Sequence, residues 1–353
     1  VQASFTTAFG TVSANSVCWS GAQFVAVGAV FNANTSSATS TDGITWTYQI
    51  GLAGSLLCSS TSTGACWSGS KFVVVGFLGR CITSTNGYSW TLQPSALTAF
   101  AGNNIRSVCW SGAQFVAVGA AGKCATSPDG VTWTAQASLA TAIGATTVAT
   151  SVCWSGTQFV TVGGAGKCAT SPDGITWTAQ ASLATAVGAI AMQSVCWSGN
   201  QFVAVGASGK CATSPDGVTW TNQASFTTAF GASGTAPSVC WSGTQFVAVG
   251  YLLASAGSKC VTSPDGITWT SQASFGSVFG VATMNSVCWA GNRFITVGAS
   301  SLGGTSPDGI TWTAQPLFGS ASGASTGAGT AATSICWTGN YALGISAVRA
   351  AIS

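Results

Sequence analysis

Short apolar runs rich in Val, Ile, Thr, Phe and Trp recur along the whole chain, and each is closed by Gly or Asp-Gly. The stretch from Ser151 to Gln180 shows the pattern. Ser151 to Ser155 is one run, closed by Gly156. Gln158 to Val162 is a second, closed by Gly163 and Gly164. Lys167 to Ser171 is a third, Pro172-Asp173-Gly174 forms a turn, and Ile175 to Gln180 is a fourth. Runs of this composition between such breaks are strands. Links this short permit only antiparallel hairpins. Each unit is therefore expected to be a four-stranded meander. No helical period of useful length is visible, so the expected class is all-β.

The unit repeats. Cys-Trp occurs at Cys18, Cys66, Cys109, Cys153, Cys196, Cys240, Cys288 and Cys336, in steps of 48, 43, 44, 43, 44, 48 and 48 residues. A fixed period of this size marks a repeat architecture. One small sheet cannot cover both of its own faces, and copies stacked around an axis solve this as a β-propeller. An open solenoid would need capping units instead. The chain ends favour closure. After Trp337 only two strand-like runs remain, Tyr341 to Ser346 and Val348 to Ser353. The opening phrase Val1 to Gly10 nearly repeats Asn222 to Gly231, which follows a fourth strand. The expectation is one domain over 1–353, an eight-bladed propeller whose last blade is completed by the N-terminal strand. Its blades would span 16–50, 64–95, 107–139, 151–183, 194–227, 238–275, 286–318, and 334–353 plus 1–10. The alternative is a seven-bladed ring with the terminal segments packed elsewhere.

A second signature keeps the same beat: Ser-Pro-Asp-Gly-x-Thr-Trp, as in Ser127 to Trp133. Its acidic position is Asp42, Asn86, Asp129, Asp173, Asp216, Asp265 and Asp308, and its indole is Trp46, Trp90, Trp133, Trp177, Trp220, Trp269 and Trp312. The motif resembles the Asp-box of sialidase-like propellers, one residue shorter between Asp and Gly. The resemblance implies a hairpin between third and fourth strands and a structural role. The physics agrees: Asp accepts N–H groups of its own turn, Gly takes positive φ, and Trp fills the blade core.

Composition narrows the function. Only 4 % of the 353 residues are charged and the net charge is +3, which excludes a nucleic-acid footprint. Every apolar run is broken before 18 residues, so no membrane span is expected. No signal peptide is visible, and Val1 falls inside a repeat-like phrase, as in a processed mature chain. Fourteen cysteines fit an oxidising, extracellular or surface setting such as a secreted protein, an appendage or a virion. Asn34-Thr35-Ser36 is a formal sequon and reads as a chance match.

There is no His and no Glu, and all six aspartates belong to the repeated turns. Ser-His-Asp and Cys-His sites are thereby excluded, and paired-carboxylate hydrolysis would need turn aspartates to serve twice. Sialidases resembling this fold use three clustered arginines, a tyrosine and a carboxylate. Here Arg80, Arg106, Arg293 and Arg349 fall in different units, and Tyr48, Tyr88, Tyr251 and Tyr341 share no placement. No enzyme activity, cofactor or metal site is expected: C-x-x-C is absent, and isolated turn carboxylates do not converge on calcium.

Arg80, Lys123, Lys167, Lys210, Lys259 and Arg349 share one repeat position, at the start of the third strand. They would form a broken positive ring on one disc face, opposite a ring of aspartates. This face is a candidate for anions, a partner, or head-to-tail stacking of discs. Cys81, Cys124, Cys168, Cys211 and Cys260 fall on the third strand, two strand spacings from the Cys-Trp cysteines. That distance disfavours disulfides within a blade. Bonds between blades and small buried thiols both remain open, and Cys58 stands outside the pattern. The Cys-Trp indoles, on the innermost strand, are expected to pack between blades rather than bind sugars. The connecting segments, with Phe5, Phe9, Leu139, Phe226, Phe230, Phe275 and Phe279, are expected to offer exposed contact. The expected function is a non-catalytic structural or adhesive module that presents a rigid face to a protein or to another copy of itself. A glycan-binding lectin and a sialidase-like hydrolase are the alternatives.

Overall fold

A computed structural model describes residues 14–31, 34–49, 61–253, 257–299 and 302–314. They form seven four-stranded antiparallel sheets, and in each the spatial strand order follows the chain. The sheets run from Ala14 to Tyr48, Ser62 to Leu92, Ile105 to Gln136, Ala149 to Ala179, Met192 to Asn222, Gly234 to Ser271 and Met284 to Ala314. Each begins two or more residues ahead of the boundary expected from sequence.

The first strand of every sheet packs against the first strand of the next, and Met284–Trp289 packs against Ala14–Trp19. The first strands therefore ring the axis, and the ring closes after seven blades. Asn285 Nδ2 donates to Ala14 O at 3.3 Å across the closing seam. The expected eighth blade is corrected on this point, and the seven-bladed alternative is the one found. Blades seven and one already satisfy each other, and each described sheet draws its fourth strand from its own repeat. The internal twin of the opening phrase is mostly helix: after Asn222, the last residue of a fourth strand, comes the short helix Ala224–Phe230. Residues 1–10 and 334–353 lie outside the described residues.

Register explains the core. In blade three Cys109 opposes Val116 and Val118 opposes Cys124. With a side-chain period of two, these four share one face of the sheet. They pack on Leu139, Ile143, Val152, Phe159, Ala169 and Trp177 of the connector and blade four. The opposite face, with Val108, Phe115, Ala117 and Ala125, packs on blade two. Every seam among the described blades packs two sheet faces in this way, and described connector helices join five of them.

The fourth strands are only two or three residues long and mostly exposed, and short helices follow five of them, burying their apolar faces in the cores between blades: Pro94–Phe100, Ser138–Ile143, Ser182–Val187, Ala224–Phe230 and Ala273–Phe279. Very short edge strands limit unwanted pairing. The connector side chains expected to be exposed are buried instead. Leu139, Phe226, Phe230 and Phe275 are fully inside and Phe279 nearly so, while Phe5 and Phe9 fall outside the described residues. Spacing of i and i+4, as in Phe226 and Phe230, places both rings on one helix face, and that face sits on the next blade's Trp269.

Candidate contact faces of the disc

In a meander the first–second and third–fourth turns share one face of the disc, and the second–third turns share the other. The repeated Asp-Gly turn occupies the first of these. Asp173 Oδ1 accepts the N–H groups of Ile175 and Thr176 at 2.9 and 2.8 Å and the Ser171 hydroxyl at 3.0 Å. Trp177 Nε1 donates to Gly174 O at 3.1 Å. The same bonds recur at Asp42, Asp129, Asp216, Asp265 and Asp308. Asn86 reproduces them with its amide oxygen, accepting from Tyr88 and Ser89 at 2.9 Å each. Partial burial works against the charge on each aspartate, but the two backbone N–H donors and the serine hydroxyl outweigh it. Each carboxyl therefore lies below its ordinary value of 3.8. The indoles Trp46, Trp133, Trp177, Trp220, Trp269 and Trp312 are buried, and Trp90 is half-buried. Gly174 has φ +69°, and a Cβ there would stand 2.5 Å from Val116 Cγ2 of the preceding blade.

A belt of hydrogen bonds joins each blade to the next blade's turn. Gln23 donates to Asn86 O at 2.7 Å, Lys71 to Asp129 O at 2.9 Å, Gln114 to Asp173 O at 2.6 Å and Gln158 to Asp216 O at 2.6 Å. Gln201 donates to Asp265 O, Gln245 to Asp308 O, and Arg293 closes the circle on Asp42 O at 3.3 Å. Sequence reasoning missed this belt, although its signal is present: a Gln, Lys or Arg precedes the phenylalanine of every second strand. Lys71 and Arg293 place cations on the face expected to be acidic.

The variable residue of each turn gives only its N–H to the turn, and its side chain points outward. Ile44, Tyr88, Val131, Ile175, Val218, Ile267 and Ile310 are all exposed, between 37 and 50 %. Nearer the axis on the same face, Trp19, Trp67, Trp110, Trp154, Trp197, Trp241 and Trp289 are half-buried. Each lies against the phenylalanine that opens the next strand, with centroids from 4.2 Å for Trp19–Phe24 to 4.5 Å for Trp289–Phe294.

On the other face, Arg80, Lys123, Lys167, Lys210 and Lys259 each stand just before or at the start of the third strand, partly or fully exposed. Arg349 lies outside the described residues. Lys259 Nζ donates to Ser271 Oγ at 2.8 Å. Arg106 joins this face from Ile105–Trp110, the innermost strand of blade three.

The described cysteines are thiols. Of the two readings left open by the sequence, small thiols are found, ten of the twelve described ones buried and Cys153 and Cys196 half-buried. Cys124, Cys168 and Cys260 place Sγ 3.7 to 3.8 Å from the turn-glycine carbonyl of the next blade. Burial pushes the Cys81, Cys124, Cys168 and Cys288 thiols up to about 12. Cys58 and Cys336 lie outside the described residues. Among the described residues no three His, Cys, Asp or Glu side chains converge as a metal site, and no helix is long and apolar enough to cross a membrane.

No protein-family model and no curated protein matches the sequence. Solved structures do match in shape. YCF48 bound to D1 peptide aligns with TM-score 0.60 at 14 % identity, covering 82 % of this chain and 92 % of that one. YCF48 from Cyanidioschyzon merolae aligns with TM-score 0.59 at 14 % identity, covering 83 % and 94 %. The β-propeller domain of Cps50 (Swd1) from Myceliophteria thermophila aligns with TM-score 0.55 at 10 % identity, covering 82 % and 94 %. Likeness at such low identity carries the fold and nothing finer: this chain is a seven-bladed β-propeller of four-stranded antiparallel blades.

Proposed function

We propose that this protein is a non-catalytic structural or adhesive propeller that uses its Asp-Gly face for protein contact, including head-to-tail contact with other copies of itself. The observation that carries this reading is the ring of seven exposed apolar side chains, Ile44, Tyr88, Val131, Ile175, Val218, Ile267 and Ile310. The turn takes only the backbone of the six aliphatic residues, so nothing inside the blade accounts for their choice, while Tyr88 donates its hydroxyl to Gln23 Oε1 of the preceding blade at 3.1 Å. An exposed apolar residue repeated on one face of every described blade favours an interaction surface there. The opposite face carries Arg80, Lys123, Lys167, Lys210 and Lys259, which complements the six aspartates of a stacked copy. A repeated heterologous contact of this kind builds a filament. A structure with a bound peptide, YCF48 with D1 peptide, stands among the similar folds, in line with protein partners.

The absence of catalysis belongs to the same reading. All six carboxylates are engaged in holding their own turns, and the chain has no His or Glu. Kinship with Asp-box repeats is part of it too, supported by the seven turns built on one bonding scheme. We place the protein outside the cell or on a surface. Its buried thiols, with raised pKa values, would withstand an oxidising setting.

The test is sedimentation velocity with electron microscopy on the full chain, from micromolar to sub-millimolar concentration. The expected result is reversible association, weakened by about tenfold or more in the Ile175→Lys, Val218→Lys double variant. A single species at all concentrations, or association indifferent to those lysines, overturns self-stacking. A second reading, glycan binding, is favoured by the half-buried tryptophan ring near the axis, since aromatic faces suit sugar rings. Glycan-array binding lost in Trp154→Ala and Trp197→Ala would support it.

A further inference from the structure

Blades two to five are close copies, so departures from the copy stand out, and two of them meet at one spot on the basic face. The turn after the second strand reads Ala120-Ala-Gly-Lys123, Gly164-Ala-Gly-Lys167 and Ala207-Ser-Gly-Lys210, but Phe77-Leu-Gly-Arg80 in blade two. Its second position is left-handed in every copy, with φ of 58° at Leu78 and 54 to 56° at Ala121, Ala165 and Ser208. That conformation is unfavourable for a residue with a Cβ. Leucine stands there with 49 % of its surface exposed, so no core packing offsets the cost.

The second departure is on the innermost strand. At this position Asn15, Thr63, Thr150 and Asn285 each donate to a main-chain carbonyl of the following blade, at Ser62, Ile105, Met192 and Ala14. Blade three has Arg106 there, the one charged residue on the seven described innermost strands. Its guanidinium carbon lies 5.2 Å from the Phe77 ring centroid, and its buried Nε has no acceptor. Desolvation lowers its pKa. The position is Gln193 in blade five and Pro237 in blade six, so the seam bond is made in four of the seven blades, and only in blade three does a partly desolvated cation take its place, over Phe77 and next to the exposed Leu78. Places where a repeat breaks its own local rules without internal compensation are where function is expected.

We propose that Phe77, Leu78 and Arg106 form a docking patch for an acidic peptide segment of a partner protein. The guanidinium receives a side-chain carboxylate, and an apolar residue next to it in the partner lies against Leu78 and Phe77. Guanidinium forks match carboxylates in plane and charge. The lysines around the same face raise the local concentration of acidic chains. The patch lies on the face opposite the apolar ring, and its failure leaves that reading standing.

The test is selection from a displayed random-peptide library on the full chain and on two variants, Arg106→Thr and Leu78→Ala. Threonine is the residue that Thr63 and Thr150 supply at the same position, so Arg106→Thr is expected to fold with an unchanged or higher Tm. The wild type should enrich peptides that pair Asp or Glu with an adjacent apolar residue. Measured by fluorescence anisotropy, their affinity should fall about tenfold or more in Arg106→Thr and by a smaller factor in Leu78→Ala. Replacing the acidic residue of the peptide with Asn or Gln should abolish the difference between wild type and Arg106→Thr. Enriched peptides without an acidic residue, or binding indifferent to Arg106→Thr, would overturn the proposal. So would a lower Tm in Arg106→Thr with peptide binding intact, which is the signature of a purely structural arginine. Selective capture of free C-termini over internal acidic residues, or loss of self-association in Arg106→Thr with no peptide enriched, would also overturn the stated occupant.

Discussion

The seam between blades three and four can be loaded at a single atom. Gly174 sits in the Asp-Gly turn at φ +69°, and an added Cβ would meet Val116 Cγ2 at 2.5 Å, with Thr126 Cγ2 next at 3.3 Å. Gly174→Ala therefore carries two costs. The left-handed backbone costs alanine about 1–2 kcal/mol. The methyl clash forces either Val116 or the turn to move, and overpacking of this kind costs about 1–3 kcal/mol. The sum is about 2–5 kcal/mol, large against the roughly 5–15 kcal/mol of a typical folded domain. Val116 is fully buried, so Val116→Ala is destabilising alone. It also removes the methyl that Gly174→Ala strikes. The double variant should thus be more stable than the sum of the single losses, with a coupling of about 1–3 kcal/mol. Urea denaturation followed by tryptophan fluorescence measures all four corners of the cycle. Additive losses within about 0.5 kcal/mol would refute the claim that the turn glycine is required by the neighbouring blade rather than by its own backbone alone.

Three further outcomes rest on the turns and the thiols. Asp173→Asn should cost little, because Asn86 makes the same bonds in blade two, whereas Asp173→Ala should cost about 1–2 kcal/mol in denaturant titrations. The folded-state pKa values of the six turn aspartates lie below 3.8. Their contribution is therefore present above that value and lost as pH falls through the depressed folded values, so Tm should hold down to about pH 4 and then decline; a Tm flat below pH 3 would contradict this. Buried thiols such as Cys124 and Cys168, with pKa near 12, should react with an aromatic disulfide reagent at pH 8 only after unfolding, and rapid modification of the native protein would contradict their burial.

Much of the blade was legible in the chain because its causes are local. Gly163 and Gly156 end strands, Asp173 and Gly174 make a turn, and the run from Phe159 to Val162 makes a strand; all of this acts within a few residues. The position of the basic ring followed from the same register. The connector helices were hidden for a physical reason. Six or seven residues such as Ser138–Ile143 make two turns at most and are marginal alone, so only the neighbouring blade, by burying Leu139 and Ile143, decides that they are helical.

The ring count was equally beyond local rules. Eight Cys-Trp pairs and a repeated opening phrase pointed to eight blades, yet closure depends on the angle between neighbouring sheets, which many side chains across each seam set together. Local chemistry along the chain sets the repeating unit, its strand order and its turn chemistry. The tertiary structure alone decided that seven such units meet, that Arg293 reaches Asp42 to join the last blade to the first, and that Arg106 comes to rest beside Phe77. Those contacts join residues far apart in the chain, and their free energy arises only once the intervening blades have brought them together.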